Sequence, residues 1–295
     1  MHEKQQLEAG RANPDPCGTL CPCESSPSSS KATRMTIADA ISRLNYQPAE
    51  FLPGHVWLAG AGPGDPGCLT LDVLSALARA DCIVYDALVS EAVLAAAGNA
   101  ELHFAGKRGG KPSTDQEDIT QRLIGFALAG KRVLRLKGGD PYIFGRGGEE
   151  ALALVRAGIP FRVLPGLTSA FAGLAGANIP TTMRGINKAI ILATGHAAGT
   201  DEDLDWVALA KTGQPIVIYM GLKNLPLITG ELLSGGLPTE TPAAVIESAT
   251  TPRQRMVVAK LGTIVDEATK AGLCAPALIV IGGIVSMREK LSARP

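Results

Sequence analysis

Apolar and polar positions follow two rhythms along most of this chain. Short runs rich in aliphatic and β-branched residues, "HVWLAG", "CIVYD", "ELHFAG", "KRVLRLKGG" and "PFRVLPG", predict strands. Segments with helical spacing separate them. "LTLDVLSALARA" places Leu71, Leu74, Leu77 and Ala78 on an expected inner face. "SEAVLAAAG" is closed by Gly98, "DQEDITQRLIGFALAG" opens with a capping box of Thr114 and Glu117 and closes at Gly130, and "GGEEALALVRAG" ends at Gly158. After "PGLTSAFAGLAGANIP" the rhythm resumes, with strands "KAIILATG", "QPIVIYMG", "TPAAVIESA" and "PALIVIGGIV" and helices such as "NLPLITGELLSGG" and "TIVDEATKAG". Strand and helix alternate in both halves, so the prediction is two α/β domains with mostly parallel sheets. Their break is expected near Pro165 and Gly166, giving an N-terminal domain over 55–166 and a C-terminal domain over 167–290.

Residues 1–54 do not share this pattern. The first part is rich in Pro, Ser, Lys and Glu and is expected to be a disordered tail, because it has too little apolar surface to offset its ordering entropy. "TIADAISRL" predicts a short helix and "NYQPAEFLPG" a linker. The tail has no apolar core of a secretory signal, and Glu3, Glu8 and Asp15 argue against a transit peptide.

Composition narrows the function. The 295 residues are 46% hydrophobic and 19% charged, with a formal net charge of zero, which fits a soluble protein and offers no broad attraction to nucleic acid or membrane. Aromatic residues make up only 4%, too few for base-stacking platforms. "CAPALIVIGGIV" is the longest apolar run and is too short to span a bilayer. Cys68, Cys82 and Cys274 read as small packing residues. Cys17, Cys21 and Cys23 cluster in "CGTLCPC" without a fourth ligand at zinc spacing, so no metal is expected. Nothing suggests an oxidising compartment, and a cytoplasmic location is expected.

Candidate chemistry concentrates at strand ends. "VWLAGAGPGDPGCLTLDVL" puts glycines at 60, 62 and 64 between a strand and a helix, and Asp86 ends the next strand some twenty residues on. That spacing approaches a dinucleotide fingerprint, but the last glycine is replaced by Asp65, whose charge would face a pyrophosphate, and Pro63 removes a donor. The alternative is a cationic cofactor without phosphates, S-adenosylmethionine. Asp140 in "KGGDPYIFGRGGEE" offers it a carboxylate, and Gly138 and Gly139 offer close backbone approach.

"GAGPGDPGCLTLDVLSAL", "VYDALVS", "GKRGG", "RLKGGDPYIFGRGGEE", "PGLTSAFAGLAGANIP", "TGH", "IYMGL" and "TPAAVIESATTPRQR" together resemble the tetrapyrrole methylase family, in order from about residue 55 to 290. The resemblance implies two α/β domains with S-adenosylmethionine folded into the cleft between them, and a homodimer. It implies methyl transfer to pyrrole β-carbons of uroporphyrinogen III, at C2 and then C7, giving precorrin-2 for sirohaem, cobalamin or haem d1; a later corrin intermediate is the alternative substrate. It implies a cofactor shell of Pro63, Gly138, Gly139, Asp140, Ile143, Thr168, Ser169, Met220 and Ala249, although Met220 reads equally well as core packing. Forming the new C–C bond calls for loss of a pyrrole N–H proton, hence a general base. Asp86 and Lys107 match positions given that role in the family; Arg108 is a rival, better suited to clamping a substrate carboxylate. The substrate's eight carboxylates require a cationic rim, for which Arg108, Arg146 and Arg184 are candidates and Lys111 an addition. His196 reads as structural or substrate-facing, and Arg253 and Arg255 fit the family pattern without a derivable role. Two departures stand out. Met183 replaces a histidine of the family's "PLTHRG" and is left to pack against substrate, and Ala249 puts a methyl where relatives carry glycine.

Overall fold

In the computed structural model of the chain, residues 34–106 and 116–292 are described. The cysteine cluster of residues 17–23, most of the tail, the Thr114 cap, Lys107, Arg108 and Lys111 therefore lie outside the described residues. Contacts divide the chain into two compact units, Met1–Gln47 and Pro48–Pro295. In the first, the described part is helix α1 (Ile37–Arg43). It opens with a reciprocal cap: Thr36 Oγ1 accepts from Asp39 N–H at 3.2 Å, and Asp39 Oδ2 accepts from Thr36 N–H at 3.0 Å.

Both sheets belong to the second unit. Strands β1 (Val56–Gly60), β2 (Cys82–Tyr85), β3 (Glu101–Phe104), β4 (Val133–Lys137) and β5 (Phe161–Leu164) form one wholly parallel sheet in the order β3-β2-β4-β1-β5. Helices α2 (Leu71–Arg79), α3 (Glu91–Leu94), α4 (Gln116–Leu128) and α5 (Gly147–Arg156) complete this half. Thr70 and Ser90 cap α2 and α3, and Gly130 and Gly158 close α4 and α5 in left-handed conformations; α3 ends at Leu94 with Ala95 as its cap, short of the expected closure at Gly98. β1 is buried along its whole length. Val56 and Leu58 face one core with Leu123 and Leu154; Trp57 and Ala59 face the other with Leu77 and Leu136. α2 corrects the expected face: Val73, Ala76 and Leu77 are buried, whereas Leu74 and Ala78 are exposed. The smaller Val73 and Ala76 bring the helix close to the sheet, and the leucine count misled the periodicity.

The second sheet contains β6 (Ile191–Thr194), β7 (Ile216–Tyr219), β8 (Pro242–Glu247), β9 (Arg255–Lys260) and β10 (Ala277–Ile281) in the order β6-β7-β10-β8-β9. Only β6 and β7 are parallel; β10 runs antiparallel to β7 and β8, and β8 to β9. The expectation of a mostly parallel sheet thus holds in the first half and fails in the second. The missed element is β9. Its "RMVVAK" is exposed or half-buried throughout on an edge, and its apolar run, Met256 to Ala259, is short and flanked by charge at both ends. Only the short loop 248–254 joins β8 to β9, too short for the crossover that parallel strands need. Helices α6 (Ser169–Gly176), α7 (Trp206–Lys211), α8 (Leu225–Ser234), α9 (Ile264–Lys270) and α10 (Met287–Ser292) complete this half. Among the described residues no helix is long and apolar enough to cross a membrane.

Candidate active site

The carboxyl ends of β1, β4 and β5 meet backbone to backbone. Ala61 N–H donates to Lys137 O at 2.7 Å. Gly62 and Gly139 exchange both hydrogen bonds, at 3.2 and 2.7 Å. A Cβ on Gly60 would lie 2.5 Å from Gly139 O, and one on Gly166 only 2.2 Å from the same oxygen. At 138 the constraint is Leu88, whose Cβ would be 2.6 Å from an added methyl. Most of these glycines are therefore demanded by protein packing. Gly139 is the exception: it has φ +72° and nothing nearer than Thr168 Cα at 3.9 Å.

Asp140 ties this junction together. Its Oδ1 accepts from Tyr142 N–H at 2.8 Å and its Oδ2 from Gly166 N–H at 3.0 Å, so the carboxylate joins the loop after β4 to the loop after β5. Asp65 is used as locally: its Oδ1 accepts from Gly67 N–H at 2.7 Å and caps the turn Pro66–Cys68. A carboxylate fixed there explains why the dinucleotide fingerprint breaks at this position. Pro63, beside it, is half-buried, as is Ile143, whose N–H reaches Asp140 O at 3.4 Å.

The second half supplies a facing wall. Thr168 Oγ1 and Tyr219 Oη are 2.5 Å apart, and Ala170 N–H donates to Tyr219 Oη at 3.2 Å, so α6, which begins at Ser169, is pinned to the end of β7. Burial pushes the Tyr219 phenol up, keeping it a neutral hydrogen-bonding group. Phe144 of the β4 loop packs on Tyr219 with ring centroids 5.0 Å apart. Met220 follows with φ +53° and is 52% exposed, which removes the core-packing reading. Ser248 (φ +48°) and Thr250 (φ +64°) flank buried Ala249. The Ala249 methyl departs from the family pattern without filling the cleft. It sits over Gly173 of α6, where an added Cβ would come within 2.9 Å of it. A methyl on Gly64 would lie 2.7 Å from Thr251 Cγ2 and 3.8 Å from Thr250 Oγ1, which brings the 248–251 loop onto the β1 turn.

Below the β2 end lies a cluster that the sequence reading did not single out. Arg135 and Lys137 of β4 are 1% and 2% exposed, and Glu150 of α5 is fully buried. Glu150 Oε1 accepts from Arg135 Nε at 3.0 Å, Lys137 Nζ at 3.1 Å and Gln116 Nε2 at 2.9 Å. Arg135 Nη2 reaches Asp86 Oδ1 at 2.6 Å, and Lys137 Nζ lies 3.5 Å from Asp86 Oδ2. Burial works against the Arg135 charge, but Asp86 and Glu150 outweigh it and hold the guanidinium above its ordinary range. The available signal was Arg135 and Lys137 in "VLRLK", a segment otherwise read as a buried strand, and Glu150 at the start of the "GGEE" helix.

The other candidates stand apart from this centre. Arg146 is exposed and forks onto Glu149, with Nε to Oε1 at 2.9 Å and Nη2 to Oε2 at 2.6 Å. Met183 and Arg184 are exposed on a loop held by Asn187, which accepts from Met183 N–H at 2.8 Å and donates to Thr181 O and Ala189 O. That loop leads into β6 beside Gln214, whose Oε1 accepts from Lys188 and Ala189 N–H. The loop precedes β6 whereas Met220 follows β7, and the two strands are parallel neighbours, so the loop and Met220 lie at opposite ends of the strands. His196 is exposed, with its N–H on Thr194 Oγ1 at 3.4 Å. Arg255 acquires a structural role: it pairs with Glu247 and donates to Ala271 O and Gly272 O beyond α9.

Three features of this strand-end surface are not accounted for by the protein's own packing. Thr250 Oγ1 is buried with no partner among the described residues, next to the β1 turn; Gly139 is open; Met220 is exposed in a strained conformation. No group of three or more His, Cys, Asp or Glu among the described residues is arranged to hold a metal.

Comparisons with known proteins bear on the same surface. The family profile of tetrapyrrole (corrin/porphyrin) methylases matches residues 55–265. A uroporphyrinogen-III C-methyltransferase of Sinorhizobium is 49% identical over 241 residues, covering 81% of this chain and 86% of that protein. A siroheme synthase of Methylococcus capsulatus is 48% identical over 257 residues, covering 86% of this chain but only 53% of that protein. The chain spans about half the length of such synthases. The uroporphyrin-III C-methyl transferase of Thermus thermophilus, crystallised with S-adenyl homocysteine, superposes with a TM-score of 0.69 at 38% identity, over 79% of this chain and 99% of that one. A cobalt precorrin-4 methyltransferase gives 0.71 at 27% identity, over 79% and 96%. With one profile spanning the first sheet and four of the five strands of the second, the chain belongs to the tetrapyrrole (corrin/porphyrin) methylases.

Proposed function

We propose that this protein transfers methyl groups from S-adenosylmethionine to uroporphyrinogen III, at C2 and then C7, producing precorrin-2. One observation carries the reading: the ends of β1, β4, β7 and β8 converge on a surface where Gly139 is open, Met220 is strained and exposed, and Thr250 keeps a buried hydroxyl with no partner among the described residues. Pro63, Gly138, Gly139, Asp140, Ile143, Thr168, Ser169, Met220 and Ala249 are the residues that would hold the cofactor. When bound, the cofactor supplies an electrophilic methyl group on a sulfonium sulfur. The nucleophile is a pyrrole β-carbon, so the chain's main task is alignment. Asp140 and the Thr168–Tyr219 pair fix the two walls against each other for that purpose.

The product requires loss of a pyrrole proton. Asp86, Lys107 and Arg108 remain the candidates around that step. Both oxygens of Asp86 lie next to cations, so it is best placed as a fixed negative charge facing the pyrrole N–H groups. That leaves proton acceptance to Lys107, with Arg108 on a carboxylate. Arg146 can exchange Glu149 for a substrate carboxylate at little cost, because an exposed pair of this kind contributes little. Arg184, with Met183, serves the substrate only if the loop after α6 reaches back toward the first half. The reading carries with it a cytoplasmic homodimer, which sedimentation tests.

Purified protein incubated with S-adenosylmethionine and uroporphyrinogen III is expected to give precorrin-2, detected after oxidation by its fluorescence. Methyl transfer to a later corrin intermediate without turnover of uroporphyrinogen III would overturn the substrate assignment. Calorimetric binding of a nicotinamide cofactor in preference to S-adenosylhomocysteine would overturn the reaction, and tight porphyrin binding without methyl transfer would leave a non-catalytic module.

A further inference from the structure

Four ionisable side chains line up from the interior to the cleft: Glu150 on α5, Arg135 and Lys137 on β4, and Asp86 beyond β2. Their formal charges cancel. Three are essentially without solvent, and only Asp86, at 27% side-chain exposure, reaches the surface. Burying such groups is costly unless each is held by its neighbours, and replacing them with apolar residues is often neutral or stabilising. A purely structural role therefore explains them poorly.

The geometry is directional. Glu150 gathers three donors on Oε1 while its Oε2 is buried with no partner among the described residues. Arg135 uses Nε on Glu150, Nη1 on Val84 O at 3.3 Å and Nη2 on Asp86. Its planar fork thus fixes the position of Asp86 relative to Glu150. Lys137 bridges the same two carboxylates on a compact charge.

We propose that Glu150 is a positioning residue for methyl transfer: acting through Arg135 and Lys137, it fixes the Asp86 carboxylate at the cleft so that a preorganised negative charge meets the pyrrole N–H groups. This rests on the methyltransferase reading above. Preorganised charge contributes where charge develops in the transition state, so Glu150 should affect turnover and leave cofactor binding alone.

Glu150→Gln tests this cleanly. The new carbonyl can still accept from Arg135, Lys137 and Gln116, and the amide nitrogen takes the place of the unpartnered Oε2, so the charge changes more than the shape. Methyl transfer to uroporphyrinogen III is measured for the wild type, Glu150→Gln, Asp86→Asn and the double variant, with KM and S-adenosylhomocysteine affinity. Glu150→Gln is expected to lower kcat about tenfold, the scale of a displaced reacting group, with KM and cofactor affinity within about twofold. Asp86→Asn is expected to lower kcat about a hundredfold. The double variant should match Asp86→Asn within about threefold, because residues acting through one group are non-additive. Should Glu150→Gln not fold, Gln116→Leu removes one donor from Glu150 and is expected to cost about threefold, a loss that disappears on the Asp86→Asn background. An active wild type whose losses multiply overturns this inference alone, as does full activity in Asp86→Asn. A wild type that methylates no uroporphyrinogen III overturns the proposed function and this inference with it.

Discussion

Gly166→Ala probes the backbone junction on which both walls of the cleft depend. The added methyl would lie 2.2 Å from Gly139 O and 2.7 Å from the Gly60 carbonyl carbon. Ordinary contact is roughly 3.5 Å, so the first distance falls about 1.3 Å short. No rotamer relieves it, since every atom involved is main chain. Gly166 is not in a left-handed conformation, so the penalty is steric. The β4 and β5 loops must separate, stretching the Gly62–Gly139 pair and the Asp140 bond to Gly166 N–H. Overpacking of this kind costs about 1–3 kcal/mol, and a weakened hydrogen bond to a charged group about 1.5–3 kcal/mol more. The sum, roughly 2.5–6 kcal/mol, lowers Tm by about 5–24 °C in a unit of this size. Gly230→Ala is the control. Gly230 lies inside α8 with nothing within 4 Å of an added Cβ, and the substitution should gain about 0.5–1 kcal/mol of helix propensity. Calorimetric melting checks both, and S-adenosylhomocysteine binding at 25 °C should weaken in Gly166→Ala alone. A Gly166→Ala protein that melts within about 2 °C of wild type would refute the reasoning.

Thr250→Val removes a buried hydroxyl that has no partner among the described residues. Melting temperature should hold or rise, while S-adenosylhomocysteine affinity falls about fivefold, the worth of about 1 kcal/mol for one hydrogen bond; unchanged affinity by calorimetry would remove Thr250 from the cofactor surface. Tyr219→Phe strips Thr168 and Ala170 N–H of a shared partner. It is expected to cost about 1–3 kcal/mol in chemical denaturation and to weaken cofactor binding. The side-chain hydrogen bonds from Arg132 hold the Asp81 carboxyl below its ordinary value, although burial opposes them. A depressed folded-state value means that the contribution is fully present above the unfolded carboxylate value of about 3.9 and is lost as pH falls through the lower folded one. The melting difference between wild type and Asp81→Asn should therefore be widest near neutrality and shrink toward pH 3; a difference that grows on acidification would reverse the assignment.

The first sheet was legible because β1 and β2 announce themselves as apolar runs and because Gly130 and Gly158 mark helix ends. The second sheet's topology was not, since β9 is a half-exposed edge strand whose partner is set by a short loop rather than by hydrophobicity. At the site, glycine clusters marked the right loops but for a mixed reason. Gly60, Gly138 and Gly166 are small because other protein atoms press on them, and only the three-dimensional packing separates these from Gly139. The buried charges escaped notice because Arg135 and Lys137 lie in a strand that reads as core and find their carboxylates one helix away, on Glu150, and beyond another strand, on Asp86. Ala249 shows the converse. It departs from the expected glycine, and the compensation, Gly173, lies far along the chain in α6.

Backbone strain gives an independent argument for where the chemistry resides. Non-glycine residues in left-handed conformations are uncommon, and asparagine tolerates them best. Among the described residues, Asn45 and Asn178 need no further reason, but Phe144, Arg146, Met220, Ser248 and Thr250 do. All five fall in three strand-end loops, after β4, β7 and β8, and each such conformation costs on the order of 1–3 kcal/mol. Glycine would relieve that cost at every one of them, and this chain uses glycine freely nearby. The surroundings instead enforce the strain. Met220 is held between Tyr219, fastened to Thr168, and Gly221, whose added Cβ would strike Ile218 at 2.8 Å. Gln254 Oε1 accepts from Thr250 N–H at 2.7 Å, and Thr251 Oγ1 donates to Ser248 O at 2.7 Å. Met220, Ser248 and Thr250 are thus kept in costly conformations by several neighbours at once, on the same surface as the open Gly139.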